Sequence, residues 1–526
     1  MKKIIALAAF YALSANVVIA QPVADTRPTA YMVANAHLDT QWNWDVQATI
    51  GHHIRTTLVQ NLELMRLYPD YIFNFEGAVK YAWMKEYYPE YWQELTQRIR
   101  ENRWHLAGSS WDANEAIVCS PESWIRNILL GQTFYRQEFG RESNDVFLPD
   151  CFGFPYYLPT TAAHCGLIGF SSQKLMWRTN PFYEGGRKYP FSVGLWQGID
   201  GSRIMMTHGF NYSQRYEDQD LSHNKSLQRE VAESPLGIAF RYYGTGDTGG
   251  SPNIESVRAV MRGMKGDGPL RIVSAPSDTI YRLFQPYDQH PELPVFDGEL
   301  PMDVHGNACY TSQAAMKLYN RQLEHLGDAA ERTAVVADWM GTRAYPIEEM
   351  TANWRRMIWH QFHDDLTGTS IPRAYEFSWN DELIGLKRFS SVLATSVDGI
   401  ARQLDTRVSG TPLILYNAEA FPVETVAAID LPDANSAYAV SDASGKSGRS
   451  QVVTATDGSV RLLFETRVPA IGYAVYGLKT TKKQKANSSL GIANGSEGKA
   501  LENSRYRLMV DANGDVTSIY DKQYGR

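Results

Sequence analysis

Residues 31–42 read YMVANAHLDTQW, an apolar run that ends abruptly in His37 and Asp39. Other runs end the same way. Ile72 to Phe75 stops at Glu76, Trp104 to Ala107 leads to Trp111 and Asp112, and Val146 to Leu148 stops at Asp150. Ile168 to Phe170 leads to Gln173 and Lys174, and Ile238 to Phe240 leads into a glycine-rich stretch around Asp247. Helical patterns lie between these runs, clearest over Val79 to Asn102 and Glu122 to Phe139. Strands alternating with helices predict an α/β fold with a parallel sheet. Polar groups gathered just past the strand ends predict a site along one rim of that sheet.

Beyond about residue 311 the pattern changes. Thr311 to Leu404 is rich in Ala, Leu, Arg and Glu and predicts about three helices, punctuated by Pro346 and Pro372. Pro412 to Gly477 reads as short alternating strands, and Lys479 to Lys499 as a solvated loop. Tyr506 to Tyr520 reads as a hairpin turning at Asn513-Gly514. Asp511, Asn513 and Asp515 imitate a calcium loop, but Val516 stands where a glycine is required.

Length and composition bound the function. The 526 residues allow about three domains at roughly 150 each. The balance of 51 basic and 58 acidic residues gives a net charge of −7 without a basic run, which argues against nucleic-acid or anionic-membrane partners. Lys2 and Lys3, the apolar stretch Ile4 to Ile19 and the small residue Ala20 read as a signal peptide over residues 1–20. Export to the periplasm or the exterior is therefore expected, with no membrane insertion after cleavage. Cys119, Cys151, Cys165 and Cys309 form no C-x-x-C pair and too sparse a set for a disulfide framework, although one bridge stays open after export. The oligomeric state is undetermined by these patterns, and an oligomer is compatible with them.

Chemistry concentrates at a few positions. On a strand, His37 and Asp39 point to the same side, which makes half of a zinc site. Asp150 in FLPDCFGF and Asp247 in YYGTGDTGG are candidate paired carboxylates, the machinery of glycoside cleavage, although each also suits a turn. His363 and His360, in WHQFHDDLTGTS, lie one helical turn apart, and either could reach a cation. Asp364 could equally be a solvated helix-end charge. Trp42 and Trp111 offer flat apolar faces for a sugar ring, though packing explains any single Trp.

These segments resemble the α-mannosidases of family 38 of the glycoside hydrolases. HLDTQW resembles the family's H-x-D-x-x-W, and FLPDCFGF its L-P-D-x-F-G-[FY]. HQFHDDLTGTS is similar to its Q-F-H-D-I-L-P-G-[ST]-S, with Asp365 and Thr367 at the usual Ile and Pro. AGSSWDANEAI, SPESWIRNILLGQ and YGTGDTGGSP extend the likeness. The resemblance implies a seven-stranded parallel β/α barrel over 21–308, a helical bundle over 309–406 and a β-sandwich region over 407–526. That last region is expected to be incomplete, because family members continue well past the position of Arg526. It also implies a Zn2+ ion held by His37, Asp39, Asp150 and His363, with Asp150 as nucleophile and Asp247 as acid/base. Trp42 and Trp111 would meet the sugar, and Lys174 and Asp364 would bond its hydroxyls. The implied activity is retaining, exo-acting hydrolysis of terminal α-mannosyl residues of glycans. A zinc-dependent glycan deacetylase and an inactive mannoside-binding remnant are the alternatives.

Overall fold

Strands form where apolar runs meet glycine and polar punctuation. The computed structural model describes residues 25–176, 191–208, 211–302, 306–432, 437–481, 490–495 and 498–526, so the signal-like stretch at 1–20 lies outside the described residues. The predicted runs become β1 (Thr29–Ala36), β2 (Phe73–Glu76), β3 (Trp104–Ala107), β4 (Asp145–Phe147) and β5 (Gly169–Ser172). Unpredicted strands β6 (Val193–Gln197) and β7 (Arg203–His208) follow, then the expected β8 (Ile238–Thr245). Two more unpredicted strands, β9 (Arg271–Ser274) and β10 (Val295–Asp297), complete the set.

The predicted Val79–Asn102 helix is two helices, α1 (Ala78–Tyr87) and α2 (Pro89–Arg100). Pro89 causes the break, because it lacks an N–H and drives the preceding residue out of the α region. Tyr88 sits at φ −134° and ψ 50°. The next helix, α3 (Pro121–Phe139), starts where the Ser120 hydroxyl accepts the Ser123 N–H and stops at left-handed Gly140.

β1 pairs with β8 along its whole length, from Thr29↔Ile238 to Ala36↔Thr245. Its other edge pairs first with β9 and then with β2, which continues to β3, all in parallel. A second five-stranded sheet runs β10-β6-β7-β5-β4, with only the β6–β7 pair antiparallel. β1 is buried over nearly its whole length, as a parallel sheet covered on both faces requires. Val33, Ala107, Phe147, Met205 and Phe240, one from each of β1, β3, β4, β7 and β8, join a single buried cluster. Among the described residues, no strand pairing joins the two sheets into a closed ring.

Three helices follow, α4 (Ala314–Trp339), α5 (Ile347–Trp359) and α6 (Pro372–Ala401), with Pro346 and Pro372 at the punctuation points. Gly327 of α4 lies so close to Trp354 of α5 and Phe389 of α6 that a Cβ would meet both rings at 3.0 Å. Two compact units emerge, 1–327 with 347–389, and 328–346 with 390–526. The cuts fall inside α4 and α6, because these long helices run through both units.

In the second unit, Thr411–Asn417, Gly472–Thr481 and Ala437–Asp442 make one antiparallel sheet, and Val423–Leu431, Val460–Val468 and Ser450–Thr454 another. Tyr438, Val440 and Tyr476 of the first share a core with Leu462 and Phe464 of the second, which is the logic of a sandwich. The expected 479–499 loop is partly strand, since Gly491–Gly495 and Gly498–Glu502 pair as a hairpin; 482–489 and 496–497 lie outside the described residues. The Asn513-Gly514 hairpin forms, and Asp511 Oδ1 accepts the backbone N–H groups of Asn513 and Asp515, a turn's use of a carboxylate. The four cysteines are free, and three are buried. No helix among the described residues is long and apolar enough to cross a membrane.

Candidate active site

Strand ends position the site. Past the end of β1, the His37 N–H donates to the Thr245 carbonyl at 3.0 Å and the Asp39 N–H to the Asp247 carbonyl at 2.8 Å. The Gly249 N–H returns to the His37 carbonyl at 2.9 Å, and Leu38 and Thr248 form an isolated antiparallel bridge. The loop carrying Asp247 is thus laced to the loop carrying His37 and Asp39. Asp247 itself sits at φ +62°, a left-handed conformation that Asp tolerates better than most residues.

His37, Asp39 and His363 come together, with one ligand atom from each within 4.8 Å of the others. All three are buried. His37 Nε2 lies 2.9 Å and His363 Nε2 3.3 Å from the same Asp39 Oδ1, and the two rings stack at 5.4 Å. Each imidazole turns Nδ1 to an outer acceptor, His37 to Glu76 Oε1 at 2.9 Å and His363 to the Ala113 carbonyl at 3.0 Å. With the proton on Nδ1, both Nε2 lone pairs converge on Asp39. His363 Nε2 is buried without a hydrogen-bond partner. Three shielded N, N and O donors aimed at one point fit a divalent cation of zinc's preferences.

His360, the other candidate, is committed elsewhere. Its Nδ1 lies 2.6 Å from Asp365 Oδ2 and its Nε2 3.3 Å from Asp381 Oδ2.

Asp150 stands apart from this trio. Its Oδ1 accepts from Lys174 Nζ at 2.8 Å and from Gln173 Nε2 at 3.1 Å. The structure thus groups three of the four expected ligands, with Asp150 alongside and held by Lys174. The Lys174 ammonium, expected at the sugar hydroxyls, also lies 4.6 Å from the Phe152 ring centroid. Burial pulls the Lys174 ammonium down, but Asp150 outweighs it and holds it raised.

Asp364 lies beside the trio, with Oδ2 3.6 Å from His363 Nε2 and Oδ1 accepting the Thr369 hydroxyl at 2.5 Å. Burial, joined by the charge of Asp39, pushes its carboxyl up to about 7. Asp247 Oδ1 accepts the Tyr212 hydroxyl at 2.6 Å, and the Tyr212 ring meets the His37 ring edge-on at 5.5 Å. Trp42 is half-buried, and its carbonyl accepts the Ile371 N–H at 2.8 Å. Trp111 is not part of this cluster. Its ring lines a separate cavity under the Arg355 guanidinium, because the Val79 N–H and Asn127 fix its backbone toward α1 and α3.

Several groups carry the site without having been assigned a role from sequence. Glu76 accepts from Lys80 Nζ at 2.7 Å as well as facing His37. Burial would raise its carboxyl, yet Lys80 and His37 hold it at about 2. Glu115 accepts the Phe152 N–H at 2.9 Å, and burial pushes its carboxyl up to about 7. Glu76 ends an apolar run, so the pattern that singled out Asp150 also marks it. Tyr212 follows β7, whose polar ends Arg203, Thr207 and His208 hid it from the pattern.

Residues 27–298 match the model of the glycosyl hydrolases family 38 N-terminal domain, and residues 305–398 that of the alpha mannosidase middle domain. The chain is 30% identical over 360 residues to alpha-mannosidase G of Dictyostelium discoideum, covering 67% of this chain and 31% of that protein. It is 28% identical over 356 residues to human alpha-mannosidase 2C1, covering 67% and 33%. The chain thus spans about a third of the length of these relatives. Its fold is similar to the crystal structure of an alpha-mannosidase from Enterococcus faecalis V583, with a TM-score of 0.77 at 16% identity over 95% of this chain and 61% of that one.

Proposed function

Because the chain belongs to glycosyl hydrolase family 38, we propose that it is a retaining, exo-acting α-mannosidase that removes terminal α-mannosyl residues from glycans. The observation that carries this reading is the convergence of His37 Nε2, His363 Nε2 and Asp39 beside a separately held carboxylate, Asp150.

His37, Asp39 and His363 would hold a Zn2+ ion, which supplies Lewis acidity for gripping the vicinal cis hydroxyls that distinguish mannose from glucose. The remaining chemistry belongs to side chains. Lys174 and Gln173 occupy Asp150 Oδ1. Oδ2 is then the oxygen to attack the anomeric carbon. Tyr212 occupies Asp247 Oδ1. Asp247 Oδ2 would carry the proton given to the leaving oxygen and later take one from water. Retention requires the two carboxyl groups to act about 5–5.5 Å apart. Trp42 would stack on the sugar, and Asp364 would bond its hydroxyls.

The finer architecture belongs to the same reading. We take the parallel strands β8, β1, β2, β3, β4, β5 and β7 as the staves of a seven-stranded barrel, and α4 to α6 as a bundle. The Ser109 N–H donating to the Asp145 carbonyl at 3.0 Å supports β3 and β4 as neighbours. The basic, apolar opening of the sequence supports export to the periplasm or exterior.

One assay decides among the readings. Chelated protein is incubated with an aryl α-mannoside and with an acetylated glycan, before and after zinc is returned. Zinc-dependent release of mannose with retained configuration is expected. Acetate release would replace the reading with a deacetylase, and binding without turnover with an inactive remnant.

A further inference from the structure

Next to the loop that carries His37 and Asp39 lies a buried polar cluster that the proposed chemistry leaves unused. Asp365, His360, Ser378 and Gln41 are each at most 2% exposed. His360 follows α5, Ser378 lies on α6 and Gln41 belongs to the loop after β1, so three segments of the fold meet at Asp365. Asp365 Oδ1 accepts the Ser378 hydroxyl at 2.6 Å, and Oδ2 lies 2.6 Å from His360 Nδ1. Gln41 Nε2 donates to Ser378 Oγ at 3.1 Å and to Asp365 Oδ2 at 3.4 Å. Burial would pull the His360 imidazole down, yet Asp365 and Asp381 hold it up at about 10. A cationic ring donates, so the Asp365 carboxylate meets donors on both oxygens.

The same loop is pinned again one residue on. The Trp42 carbonyl accepts the Ile371 N–H at 2.8 Å, and the Trp42 N–H donates to the Trp44 carbonyl at 3.1 Å. Trp42 is thus bracketed by an anchor on each side, the Gln41 amide before it and Ile371 after it. Planar peptide units between such anchors leave little freedom in the direction its side chain takes. Asp39 is held independently. Its N–H bonds the Asp247 carbonyl, and its Oδ1 lies against His37 and His363. Loosening the Gln41 anchor therefore acts on Trp42 before it acts on the cation ligands.

We propose that Asp365 is a positioning residue, which through Ser378 and Gln41 orients Trp42 for stacking on the sugar. The helical segment then sets the affinity of the site for a mannoside without touching it. The proposal rests on the reading of Trp42 as the sugar platform, and its test separates the two.

The zinc-loaded full chain is titrated with methyl α-mannoside by calorimetry, with aryl-mannoside kinetics in parallel. Gln41→Leu removes the donor, and Asp365→Asn places an amide N–H₂ where Gln41 needs an acceptor. Each should weaken mannoside binding about tenfold and raise KM to match, with kcat and zinc affinity within about twofold. Combining Gln41→Glu with Asp365→Asn exchanges donor and acceptor, and should restore binding to within about threefold, which a general loss of stability would not do. If Asp365→Asn lowers the melting temperature, Gln41→Leu carries the test from the loop side. Unchanged affinity in Gln41→Leu, where Trp42→Ala loses it, overturns the proposal alone, as does an exchange that restores nothing. Zinc affinity falling in step with mannoside affinity would put the effect on Asp39 and overturn it too. Unchanged affinity in Trp42→Ala removes the platform reading and the proposal with it. A chain that shows the expected binding pattern yet never cleaves an aryl mannoside would sink the mannosidase reading alone.

Discussion

His37 owes its ligand geometry to Glu76, which takes the Nδ1 proton and is itself charged through Lys80. Glu76→Gln keeps the shape and weakens that grip, so zinc affinity measured by competition with a chromogenic chelator should fall about 10- to 100-fold. Asp150→Asn is expected to remove aryl-mannoside turnover while the far-ultraviolet circular dichroism stays near wild type. Zinc affinity unchanged in that variant would leave the cation to the other three residues, and loss of zinc along with activity would make Asp150 the fourth ligand. Glu115 gives a pH signature. Its carboxyl is near 7 folded against 4.5 for an ordinary Glu, so the folded state binds more protons between those values. Stability therefore falls as pH rises from about 4.5 through 7. Glu115→Gln should flatten that slope in chelator-treated protein, by on the order of a few kcal/mol across the window, read from urea midpoints at successive pH values. His37, Asp39 and His363 were legible because ligand chemistry and strand period coincide there. Trp111 was not separable in this way, because a Trp after a strand looks the same beside His37 and Asp39 as it does beside Arg355.

Elements were legible where one signal dominated. The expected Glu122–Phe139 helix matches α3 to within a residue at each end. β6 and β7 were missed because Gly194 interrupts the apolar run of Val193–Gln197, and Arg203, Thr207 and His208 leave only Ile204 to Met206 apolar in the other. Some glycines matter in ways no pattern reveals. Gly131 sits mid-helix in α3, where a Cβ would lie 2.2 Å from the Ser109 carbonyl oxygen and 2.4 Å from the Ser110 carbonyl carbon. Helix propensity alone favours Ala there. Packing decides otherwise, and Gly131→Ala is expected to cost about 1–3 kcal/mol in chemical denaturation by pushing back the segment that leads to Trp111. A stabilised variant would mean that this segment yields freely.

For the whole molecule, alternation of strands and helices sufficed to identify an α/β sheet with its chemistry on one rim. It did not reveal where the compact units divide, because contact density rather than composition sets the cut within α4 and α6. Cation binding should stabilise the unit that contains His37, Asp39 and His363. In calorimetry, zinc at about 100 times its Kd should add about 2.7 kcal/mol to that unit's stability, moving its transition upward and leaving that of 328–346 with 390–526 in place. Equal movement of both transitions would mean that they unfold as one. The lacing of the glycine-rich strand-end loop to the His37 segment also bears on how such a protein diverges. Three main-chain bonds there fix the spacing between Thr245 and Gly249. A one-residue insertion or deletion would shear the carboxylate from its post, and Gly246 and Gly249 leave no room for a Cβ beside Tyr212 and Thr57, so a transplanted loop must match both the length and the glycines.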